Sequence, residues 1–376
     1  MHSVRTGVSP VLFGSKGHVS VSRGLAEFHG RRPVLITAQT EVLLALPVEG
    51  LDKLRLKEFA ALCAPHAPRL IVTARRAIAL GLDARTPMAL LLSPQDDVAS
   101  IESLVGDASC DRIPAATQAG PAAAAAIQLA KLSQGLPAVL AAETPAEALP
   151  RGIDIISVDA EAVERFAGEA IQSLTLVSEA SVPLDSGTPA RFVVFRDALG
   201  GNSTAIVVGK PDFTNAVPVR LHSACLTGDV FGSRRCDCGD QLQLALRRLE
   251  NLGGGVVLYL AQEGRGVGLA NKMRTYQLQD DGLDTVDANT TLGFDDDERD
   301  YGIAARMLHM LNCTRIVLLT NNPAKLDGLA KGGIEIVSRM PLEAPINADN
   351  RRYLAAKAAR AGHRLDHLTA SLAEPS

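Results

Sequence analysis

Cys225, Cys236 and Cys238 stand in a C-x10-C-x-C arrangement within a polar, glycine-containing stretch. Thiolates are soft ligands suited to zinc, and a site with three protein ligands keeps its fourth position for water. The spacing admits two other readings: a closed four-ligand knuckle with His222 as the fourth ligand, and three unrelated core cysteines. Three thiolates on a zinc dication leave a net charge of about −1, which opposes ionisation of a bound water. An open site therefore needs nearby cations or a general base to make that water a nucleophile. Cys63, Cys110 and Cys313 are scattered through apolar surroundings and read as core.

Three more stretches could carry chemistry. Gln262-Glu263-Gly264-Arg265-Gly266-Val267-Gly268 lies between an expected strand and an expected helix, where glycines let backbone approach a ligand and present amide donors. A dinucleotide fingerprint would need glycine at Leu269 or Asn271, and Lys272 does not complete a phosphate loop, so the bland alternative is an ordinary strand-to-helix turn. The run Asp295-Asp296-Asp297-Glu298-Arg299-Asp300 reads either as carboxylates at a helix start or as a functional cluster in which Arg299 is the informative residue. Thr320-Asn321-Asn322-Pro323, followed by Lys325, is a polar strand end leading into a helix; it is either a ligand site or a turn with a proline helix start. Arg220, Arg234, Arg235 and Arg274, with Arg265, Lys272, Arg299 and Lys325, concentrate positive charge around these stretches and suggest a phosphorylated, strongly anionic small molecule.

These side chains need elements to position them. Leu242, Leu246 and Leu249 recur at helical spacing over Gly239–Asn251, and Gly253 supplies a stop. The Val- and Leu-rich run Gly255–Ala261 predicts a buried strand. Helices are expected over Leu269–Gln279, over Asp297–Leu311 and after Pro323, with strands at Arg315–Thr320 and Ile334–Ser338. Phe192–Phe195 and Ala205–Val208 predict an antiparallel pair across Gly200-Gly201-Asn202. The alternation argues an α/β (α+β) fold. Ala180–Thr188 reads as a turn or linker edge, and the change of side-chain vocabulary there divides the chain into domains 1–171 and 172–376. Ala115–Ala126 is nearly low-complexity and reads as packing.

A chain of 376 residues exceeds one small module, and 47% hydrophobic residues against 21% charged exclude disorder. Lysine and arginine total 38 against 42 acids, a net charge of −4, so no global positive field draws the chain to nucleic acid or an anionic membrane. No apolar run approaches the ~18 residues that span a bilayer, and Met1–Gly30 lacks the ~7 to 15 apolar residues of a secretory signal. A cytoplasmic location is expected.

The residues of about 172–365 resemble the GTP cyclohydrolase II family, which opens riboflavin synthesis. The resemblance rests on Arg220-Leu221-His222-Ser223, Cys225-Leu226-Thr227-Gly228-Asp229, Arg235-Cys236-Asp237-Cys238-Gly239, Gln262-Glu263-Gly264-Arg265, Asn271-Lys272, Asp284-Thr285-Val286, Leu292-Gly293-Phe294, Asp297-Glu298-Arg299-Asp300 and Thr320-Asn321-Asn322-Pro323, in order. It implies that Cys225, Cys236 and Cys238 bind one catalytic zinc per subunit, and that His222 belongs to the substrate loop. Asp297 would be the proton acceptor. Arg299 would act at the α-phosphate, by attack in the family's usual account; stabilising transition-state charge is the physically easier role for a guanidinium that stays protonated. Magnesium would ride on the GTP phosphates. Substrate contacts implied are Arg220, Gln241, Glu263, Gly264, Arg265, Thr285, Thr320 and Lys325, with Tyr276 beside the guanine and a homodimer as the assembly. Many members carry Glu directly before the first zinc cysteine; this chain has Ala224.

The first half faintly resembles 3,4-dihydroxy-2-butanone 4-phosphate synthase, through Gly30-Arg31-Arg32-Pro33-Val34-Leu35, Ala79-Leu80-Gly81-Leu82 and Ala124–Leu136. The family's acidic metal loop is replaced by Thr37-Ala38-Gln39-Thr40-Glu41, and its Gly-His-Thr-Glu by Gly120-Pro121-Ala122-Ala123. Without those carboxylates and that imidazole, magnesium binding and proton transfer lose their groups. The expectation is a degenerate domain kept for folding, dimerisation or regulation.

Overall fold

The computed structural model describes residues 14–344, apart from 40, 111, 145–148, 150, 151, 153 and 199. The end of the first resemblance, 345–365, Thr40 of the altered acidic loop, and the first residues of Met1–Gly30 lie outside the described residues. The chain divides into two compact units, Met1–Glu169 with Ala288–Asp295, and Ala170–Asp287 with Asp296–Ser376. Among the described residues, no helix is long and apolar enough to cross a membrane.

The first unit begins with helix α1 (Lys16–His29) and the hairpin β1 (Val34–Ala38) and β2 (Glu41–Pro47). Then come α2 (Lys53–Cys63), β3 (Arg69–Val72), α3 (Ala74–Ala79), β4 (Met88–Leu90), α4 (Val98–Gly106) and β5 (Ala116–Gln118). It closes with α5 (Pro121–Leu132), β6 (Ala138–Glu143), β7 (Ser157–Asp159) and α6 (Ala160–Gln172), whose last turn enters the second unit. The seven-stranded sheet has the order β5-β4-β3-β6-β2-β1-β7 and is antiparallel except where β1 meets β7. The alanine run forms α5, with Ala122, Ala123, Ala125 and Ala126 buried. Small side chains let the helix lie close to the sheet, so packing holds for residues 122–126, whereas the start of the stretch, Ala116–Gln118, is the largely exposed strand β5.

Arg76 of α3 is only 2% exposed. Its guanidinium donates to Leu104 O at 2.7 Å, Asp107 O and Ser103 O at 2.8 Å, and Thr291 O at 2.9 Å. Thr73 Oγ1 donates to Gly293 O at 2.7 Å, so segment 288–295 is tied into this unit by two side chains of one turn. Replacing Arg76 by methionine would leave these buried carbonyls without donors, and a loss of about 3 kcal/mol is expected. Denaturant unfolding of the full chain checks it; an unchanged midpoint would contradict the clamp.

The second unit carries β8 (Thr175–Pro183), β9 (Pro189–Arg196), β10 (Asn202–Gly209) and β11 (Val217–Ser223), then α7 (Leu226–Asp229), α8 (Cys238–Asn251) and β12 (Gly254–Leu260). A 3-10 turn (Glu263–Gly266), α9 (Leu269–Asp280) and α10 (Thr285–Thr291) follow, then α11 (Gly302–Met310), β13 (Arg315–Leu319), α12 (Pro323–Lys331) and β14 (Glu335–Met340). The sheet order is β14-β13-β11-β12-β10-β9-β8. Strands β8, β9, β10 and β12 pair antiparallel, whereas β12, β11, β13 and β14 pair parallel. Residues of β10 alternate between two cores, Ala205 and Val207 in one, Ile206 and Val208 in the other, as strand periodicity requires. Met307 and Leu308 of α11 fill the first, and Ala245 and Leu249 of α8 the second.

The mixed α/β architecture expected from the alternation is present. Ala180–Thr188 is the end of β8 and the hairpin turn into β9, with Leu184 N donating to Thr188 O at 3.1 Å. The helix expected from Asp297 begins at Gly302. Asp297 is committed to Arg299, and Asp300 Oδ1 accepts from Gly302 N at 2.7 Å, so the acidic run precedes the helix.

Candidate active site

Three parallel strands, β11, β12 and β13, deliver their carboxyl ends to one rim of the second sheet, and ligands of open α/β sheets bind outside such ends. Cys225 follows β11 and opens α7; Cys236 and Cys238 stand at the start of α8. The three sulfurs lie within 4.8 Å of one another, with Cys225 Sγ 3.7 Å from Cys236 Sγ. Tetrahedral zinc at about 2.3 Å from each sulfur requires sulfurs about 3.8 Å apart, so the donor set fits the ion. Closeness depends on two glycines. A Cβ at Gly228 would meet Cys236 Sγ at 2.9 Å and Cys225 Sγ at 3.0 Å, and one at Gly239 would meet Gly228 O at 2.4 Å.

His222 does not complete this group. It lies on β11, not in a loop as expected, and its Nε2 faces Asp229 Oδ1 at 3.0 Å and Oδ2 at 3.1 Å. The cation that three thiolates call for is Lys272 of α9, whose Nζ donates to Cys225 Sγ at 3.1 Å, Thr227 Oγ1 at 3.0 Å and Glu263 Oε1 at 2.9 Å. Hydrogen bonds from Cys236 and Cys238, aided by Lys272, hold the Cys225 thiol far below its ordinary range, whereas sharing with Cys225 pushes Cys236 up to about 11.

Beside the thiols is a cavity lined by Arg220, Arg265, Arg299 and Lys325, with Cys238 at its edge. Burial lowers Arg220 to about 10, still charged at neutral pH, and its Nη1 donates to Leu319 O at 3.0 Å. Gln241, also lining the cavity, accepts from Arg220 and donates to Asp237 Oδ2 at 2.5 Å. Lys325 Nζ donates to Leu221 O at 2.7 Å, and Thr320 Oγ1 accepts from Asn322 N at 3.0 Å. Arg299 is clamped by Asp297, Nε to Oδ1 at 2.7 Å and Nη2 to Oδ2 at 2.6 Å. Burial would raise the Asp297 carboxyl, but Arg299 outweighs it and holds it below the usual carboxylate range. The turn carrying Arg265 has Gly264 at φ 62 and Arg265 at φ 63; left-handed backbone at a non-glycine residue is the kind of strain found at functional sites.

Arg220, His222, Gln241, Arg265, Arg299, Thr320 and Lys325 thus share one cavity. Glu263, Gly264 and Tyr276 group instead around Lys272: Glu263 binds its ammonium and accepts from Leu226 N at 2.6 Å, a Gly264 Cβ would touch Lys272 Cβ at 3.0 Å, and the Tyr276 ring lies 5.7 Å from Nζ. Thr285 joins neither group; its Oγ1 accepts from Gln279 Nε2 at 3.0 Å. Sequence reasoning missed Asp229, which was legible only as an acid four positions after Cys225, and Asp237, visible only as the residue between two cysteines.

His222 also makes stability depend on pH. Burial, outweighing the Asp229 hydrogen bond, lowers its imidazole below the ordinary range. As pH falls below about 6.5, the unfolded chain takes up a proton that the native imidazole refuses, so stability falls; above that value the group contributes no slope. The unfolding midpoint should drop more steeply between about pH 7 and pH 5.5 in the parent than in a His222→Gln variant. Parallel curves would rule the effect out.

Comparison with known proteins completes the description. The GTP cyclohydrolase II family model matches residues 175–341. A GTP cyclohydrolase-2 of Xylella fastidiosa (strain 9a5c) is 40% identical over 375 residues, covering 96% of this chain and 91% of that protein. One of Azospirillum brasilense is 39% identical over 92% of this chain and 93% of its own length. The riboflavin biosynthesis protein RibBA of Bacillus cytotoxicus is 53% identical over 43% of this chain and 41% of that protein.

Proposed function

Since the chain belongs to the GTP cyclohydrolase II family, we propose that it hydrolyses GTP to 2,5-diamino-6-(5-phosphoribosylamino)pyrimidin-4(3H)-one, formate and pyrophosphate, the first step of riboflavin biosynthesis. The observation that carries this reading is a trio of thiols, all within 4.8 Å, one of which, Cys238, lines a cavity with four cations. Cys225, Cys236 and Cys238 would hold one zinc per subunit, which supplies an activated water for opening the imidazole ring. Magnesium would accompany the phosphates, leaving part of their charge to the protein.

The side chains divide the remaining work. Arg220, Arg265 and Lys325 bind the triphosphate, and Gln241 and Thr320 orient it. Arg299 stabilises charge on the α-phosphoryl group as pyrophosphate leaves, held in place by Asp297, whose lowered basicity suits clamping better than proton acceptance. Lys272 offsets the surplus charge of the thiolates, which favours ionisation of a water held there. Glu263, with Gly264 and Tyr276, flanks the guanine, and exchanging Lys272 for guanine's paired donors would keep its carboxylate satisfied. Thr285 and His222 complete the substrate set.

The first domain, 1–171, acts as a degenerate synthase-like domain without its own chemistry. In support, Glu41 spends its carboxylate on Ala122 N at 2.9 Å, at the start of α5. The protein functions as a cytoplasmic homodimer. The test is full-length, zinc-loaded protein with GTP and magnesium, following formate, pyrophosphate and the diaminopyrimidine together, and separately with ribulose 5-phosphate. All three products support the reading. No product, with zinc and nucleotide both bound, would instead make the protein a nucleotide sensor, and butanone phosphate from ribulose 5-phosphate would refute the inactive first domain.

A further inference from the structure

We propose that Asp229 is a positioning residue that fixes His222 as its Nε2–H tautomer, so that Nδ1 meets the nucleotide as a hydrogen-bond acceptor. The ligand half of this inference rests on the GTP reading above; the tautomer half does not. The Asp229 side chain is 4% exposed and the His222 side chain 3%. An ionised carboxylate only accepts, so the ring nitrogen facing Asp229 must carry the proton. Tyr259, opposite His222 in the β11–β12 register, stacks on the imidazole with centroids 5.5 Å apart and holds its plane. His222 lines the cavity, and the polar atom it has left to offer there, Nδ1, is buried with no hydrogen-bond partner.

The surroundings say what Nδ1 is for. Arg220, Arg265, Arg299 and Lys325 only donate. Most other acceptors of the cavity serve the protein: Gln241 accepts from Arg220, Asp237 from Gln241, Asn321 from Leu342 N at 3.2 Å, Asn322 from Ala324 N at 2.9 Å and Thr320 from Asn322 N at 3.0 Å. Ser223 Oγ, also without a partner, can donate as well as accept, whereas Nδ1 of the Nε2–H tautomer can only accept. A lone pair kept free among fixed cations recognises a neutral donor, such as an N–H of a purine or a hydroxyl of ribose, while the cations take the phosphates. Burial keeps the ring neutral.

The contacts of Asp229 also predict what asparagine would do in its place. Its Oδ2 accepts from Cys225 N at 3.0 Å and from Tyr259 Oη at 2.8 Å. In an Asp229→Asn variant the amide oxygen must stay with those two donors, which turns the NH2 group toward His222 Nε2. That nitrogen then has to accept, and the proton moves to Nδ1, presenting a donor where an acceptor is needed.

The experiment is 15N NMR of the imidazoles in zinc-loaded, nucleotide-free protein, with GTP kinetics on the same samples. The expected spectrum shows Nε2–H at His222 in the parent and Nδ1–H in Asp229→Asn. kcat/KM for GTP should fall roughly 10- to 100-fold in Asp229→Asn and in His222→Gln, with zinc content unchanged. His222→Asn, whose amide oxygen can stand near the Nδ1 position, should recover part of the loss. Nδ1–H in the parent spectrum, or His222→Gln with parental kcat/KM, would overturn the proposal. Should Asp229→Asn fail to fold, the parent spectrum and the two His222 variants decide it. A parent protein with Nε2–H that neither binds nor hydrolyses GTP overturns the GTP reading, and the ligand half here with it.

Discussion

A Cys236→Ser protein is expected to lose its zinc and its formate while still releasing pyrophosphate from GTP. The serine hydroxyl is a far poorer ligand than thiolate, and Cys236 belongs to a trio that supplies all the Cys, His, Asp and Glu donors of the group among the described residues. The phosphate-binding cations do not depend on it: Arg299 is held by Asp297, Lys325 by Leu221 O and Arg220 by Leu319 O. Metal content should fall from about one zinc per chain to a small fraction, and formate by more than the roughly 10- to 100-fold typical of losing an outer-sphere partner. Metal analysis and a dual product assay read both. Formate at the parental rate from zinc-free variant would end the zinc assignment, and loss of both products with the fold intact would show that the two halves of the site are not separable.

Arg299→Met should give the complementary pattern, with pyrophosphate release lowered roughly 100- to 1,000-fold, the usual loss when one preorganised charge partner of a transition state is removed. Methionine keeps much of the side chain's bulk and removes the charge, and Asp297 then stands beside the cavity without its guanidinium, adding repulsion toward phosphate. Arg299→Lys separates the two roles considered for this residue. Stabilisation of charge predicts partial recovery, limited by the loss of the two-point clamp, with no covalent intermediate. A phosphoramidate trapped by rapid quenching of the parent enzyme would establish attack by Arg299 instead.

What the sequence could determine alone was local. Cysteine is rare enough that C-x10-C-x-C suggests a metal site, and leucines at helical spacing place α8 within a residue of its observed start. The cations beside these motifs could be named only through the motifs themselves, because lysine and arginine are spread over both halves of the chain. Pairing across distance was not. Lys272 reaches Cys225 over 47 positions, and no periodicity marks which of many lysines will balance a thiolate. His222 read as a fourth metal ligand by spacing and as a substrate-loop residue by resemblance, whereas strand β11 buries it against Asp229 and Tyr259. The start of α11 lies five residues later than expected because the Asp297 carboxylate is spent on Arg299, while Asp300 accepts from Gly302 N at the observed start. The strand order β14-β13-β11-β12-β10-β9-β8, which brings three carboxyl ends to one rim, has no local signature. It follows from which apolar faces bury one another, and that is a property of the whole folded chain and not of any segment.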